Sequence, residues 1–189
     1  MEVVRNAVND WEEYHQCLQV QQRMSISETE IATDPGEPDR NMLSIHVNVG
    51  QHKEGYHMGI GITATNAMNQ IGATWMLRER STGSAVLDNL VAIQLALCKL
   101  TEHGWQHIQV QTSCNQTLKL INCQVPTNIC IAGHLECIND LSLMFRTCSF
   151  VSQPSNGSTN TLSYKLSKQA MHIYFDEEFF DPQCLSTLL

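Results

Sequence analysis

From Leu43 onward, apolar and polar residues alternate. Leu43, Ile45, Val47 and Val49 are interleaved with Ser44, His46 and Asn48. A period of two predicts a strand with one buried face, and places His46 toward solvent. Gly55 predicts a turn. Tyr56 to Thr65 predicts a second strand, with Met58, Ile60 and Ile62 set against Gly59 and Gly61. A turn over Asn66 to Gln70 leads to a third strand, Ile71 to Leu77. Strands joined by connections this short must pair antiparallel.

The period then changes. Leu87, Leu90, Val91, Leu95, Cys98 and Leu100 recur at helical spacing, with Ser84 as the cap and Gly104 as the stop. Ile108 to Gln111 reads as a short fourth strand and Asn115 to Asn122 as a second helix. Beyond Pro126, a helix is expected over Leu135 to Phe145 and a fifth strand over Ser149 to Ser152. A polar loop from Pro154 to Thr159 precedes a last helix, Thr161 to His172. A strand reached through a crossover helix lies parallel to its neighbour. The expected fold is therefore α/β: a five-stranded mixed sheet, three strands antiparallel and then two parallel, flanked by helices.

The ends differ from this middle. Residues 1–40 hold 9 acids and 3 bases, and residues 176–189 hold 4 acids and no base. The span 41–175 holds 8 bases and 6 acids, so the domain itself is nearly neutral although the chain carries −8. Residues 1–40 read as an acidic helical appendage, Val3 to Gln22, with a linker broken by Pro35, Gly36 and Pro38. Residues 176–189 read as a disordered acidic tail. The signal of a strongly basic nucleic-acid face is therefore weak. No run of about eighteen apolar residues predicts a membrane span. The first eleven residues have no signal-peptide pattern, so cytosol or nucleus is expected. The eight cysteines include no C-x-x-C pair and no zinc spacing. They are expected as reduced thiols, mostly buried. Cys114, opening a helix, has no base partner in the sequence that would make it a nucleophile. The glycosylation sequons at Asn115 and Asn156 are read as accidental.

Several sequence words, in this order, narrow the fold. Val47-Asn48-Val49, Gly59-Ile60-Gly61-Ile62, Trp75 with Arg78 to Gly83, Ala92 through Gly104-Trp105, Leu118 with Ile121-Asn122, and Pro154, Asn160 and Leu166 to Lys168 span residues 43–173. Together they resemble the type-1 ribonuclease-H-like domains of plants, which accompany reverse transcriptases of non-LTR retrotransposons. Residues 1–22 resemble the helical linker that precedes such domains. The resemblance implies cleavage of the RNA strand of an RNA–DNA hybrid by two Mg2+ ions held by four acids. Counted from those words, the four positions hold Gly50, Asn89, Ser113 and Tyr164. No catalytic residue is then intact, and neither metal nor other cofactor is expected. The loop between Pro154 and Asn160 is longer than the family's usual form.

Neighbouring groups make poor substitutes. Asp88 is read as a first-turn acid favoured by the helix dipole. His52 and Glu54 are read as turn residues, and His134 as lying near a helix start. Asn48, Ser113, Asn115 and Asn160 are the candidates for neutral contacts to nucleic acid. The expected function is a ribonuclease-H-like domain that does not cleave. The alternatives are a non-catalytic binding module for RNA or RNA–DNA hybrid, a decayed retroelement fragment, and a protein-interaction domain using the acidic ends. Oligomeric state is left open.

Overall fold

A computed structural model describes residues 42–51, 56–123, 129–153, 158–173 and 175–180. The appendage and linker expected over 1–40, the turn at Gly55, Pro126, Asn156 and residues 181–189 lie outside the described residues.

Strands β1 (Leu43–Gln51), β2 (His57–Thr65) and β3 (Ile71–Arg80) form the antiparallel meander. Helix α1 (Ala85–Glu102) leads to β4 (His107–Thr112), which pairs parallel with β1. Helices α2 (Asn115–Cys123) and α3 (Ile129–Ser142) lead to β5 (Thr147–Ser152), parallel to β4. Helix α4 (Ser158–Ala170) precedes β6 (Glu177–Phe180), which adds antiparallel to β3. The sheet order is β5-β4-β1-β2-β3-β6.

The α/β mixed sheet is as the periodicity predicts, with one strand more. Glu177 to Phe180 is a strand where an acidic tail was expected. Nothing in its own pattern marks it. It is held by pairing to β3 and by Glu178, whose carboxylate lies 3.2 Å from His103 and 4.0 Å from Lys99 at the end of α1. Other boundaries also move. β3 continues through the polar run Arg78 to Arg80 because β2 extends the ladder to His57↔Arg80. α3 begins six residues before Leu135, the first turn being exposed at Ile129 and Cys130, and Gly133 lowering the run's helical propensity. α4 runs from Ser158 rather than Thr161 and ends at Ala170.

Local signals behave as their chemistry dictates. The Ser84 hydroxyl accepts the Leu87 amide at the start of α1, and Gly104 takes φ +71 just beyond its end. The Asn66 side chain accepts the amides of Met68 and Gln70, which closes the β2–β3 turn.

The two sheet faces are packed differently. Leu43, Ile45 and Val47 of β1 and Ile108 and Val110 of β4 join Leu90, Ile93, Leu97 and Leu100 of α1 in the core. On the opposite face α4 lies almost on the backbone of the meander. A Cβ at Gly59 or Gly61 would collide with the carbonyl of Ser167 or Ser163, and one at Gly50 would stand 2.8 Å from the Ser167 carbonyl. The glycine-apolar word of β2 is thus a seat for a helix.

Candidate functional site

The carboxyl end of β4 lies beside the middle of β1: their parallel ladder closes at Val47 and Thr112, and Asn48 and Ser113 are the next residues of each chain segment. Two helices reach this point from opposite faces. From α4, the Ser163 hydroxyl accepts a 2.7 Å hydrogen bond from the Asn48 amide, which also donates to Gln153 Oε1 at 3.3 Å. From α1, Asn89 Oδ1 accepts from the Thr112 hydroxyl at 3.3 Å. Asn48, Gln153 and Ser163 are buried, Asn89 is half-buried and Ser113 is exposed. A cluster of neutral amides and hydroxyls therefore occupies the switch point between β1 and β4, where this class of sheet opens to a ligand.

Of the residues named from sequence, Asn48, Asn89 and Ser113 come together here. Gly50 and Tyr164 do not. Gly50 is filled against Ser167 from α4 and has no room for a side chain. Tyr164 is 50% exposed, its ring 5.3 Å from the Lys168 ammonium. Its neighbour Ser163 is fully buried. Asn115, exposed in the first turn of α2, accepts from the Ser152 hydroxyl at 3.2 Å. Asn160 lies in the first turn of α4. Gln153 and Ser163 were missed in the sequence, since isolated polar residues in a loop and on an amphipathic helix carry no periodic signal.

His46 is a correction. It is buried, 5% exposed, not solvent-facing, because α4 covers the second face of the meander. Burial holds its pKa below the ordinary 6.5. Thr63, His46 and Gln111 are direct neighbours across β2, β1 and β4. Thr63 Oγ1, His46 Nε2 and Gln111 Oε1 are buried with no partner among the described residues, and ordered water is what ordinarily satisfies such groups.

The acid nearest the cluster is already committed. Asp88 is fully buried. It accepts from Gln51 Nε2 at 2.6 Å, the Ser81 hydroxyl at 2.7 Å, and both the amide and hydroxyl of Thr82 at 2.7 Å. Burial raises its pKa, but these bonds outweigh burial and leave it below the ordinary value. It is a first-turn acid, as expected, and it ties the end of β1 to the loop that starts α1. A magnesium ion needs hard, charged oxygens. The cluster supplies neutral ones, and no group of three His, Cys, Asp or Glu among the described residues could hold a metal. The donor set does not fit the metal pair that the resemblance implies.

The cysteines are less buried than expected. Among the described residues Cys130 and Cys137 are exposed, while Cys98, Cys114, Cys123 and Cys148 are half-buried, all as free thiols. Burial pushes the Cys148 thiol up to about 11. Cys114 accepts a 3.1 Å bond from the Thr117 hydroxyl. No helix among the described residues is long and apolar enough to cross a membrane.

No family model and no curated protein matches the sequence. Solved structures do match the fold. Ribonuclease H1 of the archaeon Halobacterium salinarum superposes with a TM-score of 0.61 at 15% identity, over 69% of this chain and 98% of that one. LC11 ribonuclease H1, isolated from compost and solved with an RNA/DNA hybrid, gives 0.60 at 15% identity, over 69% and 96%. A foamy viral protease-reverse transcriptase solved with double-stranded DNA gives 0.55 at 16% identity, over 70% and 94%. The meander, the two crossovers and the final helix of this chain form a ribonuclease-H-like fold.

Proposed function

We propose that this chain is a nucleic-acid-related ribonuclease-H-like domain that does not cleave, and that it binds RNA–DNA hybrid without divalent metal. The observation that carries this reading is the neutral cluster at the β1–β4 switch point. Asn48, Asn89, Ser113 and Ser163 stand where β1, α1, β4 and α4 converge, which is where four acids would be needed. This reading takes Asn48 and Ser163, rather than Gly50 and Tyr164, as the first-strand and last-helix positions; their mutual hydrogen bond and the crowding at Gly50 support it. Uncharged groups cannot balance two dications, but they can hydrogen-bond a ribose hydroxyl or phosphate oxygen. Two of the similar proteins were solved with a hybrid or duplex bound, which supports a nucleic-acid partner. The sequence words support descent from a reverse-transcriptase-associated domain of the plant retroelement type.

The test is a time course on end-labelled RNA–DNA hybrid with magnesium or manganese. It compares the native chain with a variant carrying Asn48→Asp, Asn89→Glu, Ser113→Asp and Ser163→Asp. The expected result is no cleavage by the native chain, metal-dependent cleavage by the variant, and a native-chain gel shift that persists in chelator. Metal-dependent cutting by the native chain would overturn the proposal. Absence of both cutting and binding by the native chain would favour a decayed fragment.

A further inference from the structure

Helices α1 and α3 run side by side in the same direction. Strands β3, β4 and β5 all point along β1. Each helix carries the chain back to the start of the next parallel strand, so both run against the strands and parallel to each other. They pack closely, with the Gln94 side chain hydrogen-bonded to the His134 ring at 3.0 Å across the seam. That bond fixes their axial register. One turn further along α1 is Cys98, and one turn further along α3 is Cys137. Cys98 is half-buried and Cys137 exposed, and both are free thiols. The Cys137 sulfur is near enough that its charge acts on Cys98. One turn in the other direction the register sets Cys130 against Leu90 and Val91, so the second exposed thiol of α3 faces no cysteine of α1.

We propose that Cys98 and Cys137 are a dithiol–disulfide pair that staples α1 to α3 in the presence of a low-molecular-weight disulfide. The Cys137 thiolate, open to solvent, attacks one sulfur of the reagent disulfide. The reagent's S–S bond breaks, and one reagent thiolate leaves and takes up a proton. Cys98 then loses its proton to solvent and attacks the Cys137 sulfur, releasing the second reagent thiolate. Two protein thiols are oxidised and one disulfide is reduced to two thiols. Cys98 is the slower partner, since burial and then Glu102 raise its pKa, so the second step accelerates as pH rises. The pair is independent of what the β1–β4 cluster binds.

The experiment treats the folded full-length chain with oxidised glutathione, alkylates the remaining thiols and maps the bridges by peptide mass spectrometry. The expected product is a Cys98–Cys137 bridge in the folded chain, in excess over the scrambled bridges formed in urea. Oxidation should raise Tm by at least about 5 °C. Cys98→Ser should leave glutathione stably attached to Cys137, and Cys137→Ser should abolish the bridge. A lasting glutathione adduct on Cys137 of the native chain, or a dominant bridge to another cysteine, would overturn the pairing. The mapping of the native chain decides the matter even where a serine variant fails to fold.

Discussion

A buried carboxylate with no cation beside it among the described residues has to be justified by hydrogen bonds, and Asp88 has four from Gln51, Ser81 and Thr82. Asp88→Asn replaces a charge-assisted acceptor with an amide that cannot accept them all. We predict a loss of roughly 1.5–3 kcal/mol in urea denaturation. Its pKa is lowered on folding, so its contribution is full above the ordinary 3.8 and is lost as pH falls further. His46 acts at a higher pH with the same sign. Its folded pKa lies below 6.5, so the unfolded chain binds the proton more readily. Its contribution is full above about pH 6.5 and declines as pH falls below that value. Comparing denaturation midpoints at pH 7.5 and 5.5 tests this, and His46→Asn should flatten the difference. An unchanged slope in that variant would assign the acid loss to other groups.

At the scale of elements, the packing of α4 on β2 is set by absent side chains. Gly61→Ala would push a methyl group into the Ser163 carbonyl, which is backbone and cannot rotate away. We predict a loss of roughly 1–3 kcal/mol, toward the upper end. Because Ser163 is held by Asn48, hybrid binding should fall together with stability. β6 is the opposite case, a short strand on the sheet edge, exposed from Glu177 to Phe179. Glu178→Lys would set a positive charge against Lys99 and remove the partner of His103. The expected effect is local: faster proteolysis within residues 177–180 and a global stability change below about 1 kcal/mol. A drop in Tm matching that of Gly61→Ala would show instead that β6 is integral to the core.

For the whole molecule, charge makes the proposed function measurable. The span 41–175 has a net charge of +2, and the ends carry the rest of the −8. Hybrid binding through neutral contacts should therefore show a shallow salt dependence, with a log–log slope of about −3 or less in magnitude. A slope near −6 or steeper would mean that a cationic surface, not the Asn48 cluster, governs affinity.

The strand alternation of 43–49, the helical period of 87–100, Ser84 and Gly104 were legible because each burial pattern or cap is a local property of the chain. So was the absence of a carboxylate at Gly50, Asn89, Ser113 and Tyr164, which is visible without coordinates. What needed tertiary structure was anything settled by a partner distant in sequence. β6 exists because β3 offers an edge, and His46 is buried because α4 covers a face that the alternation assigned to solvent. In the proposed reading Asn48 and Ser163, rather than Gly50 and Tyr164, take the first-strand and last-helix positions for the same reason. Counting along a strand or helix preserves spacing but not which of several inward positions meets its partner. Asn48 and Ser163 are 115 residues apart, and only the close seat of α4 on the glycines of β1 and β2 brings them within hydrogen-bond distance.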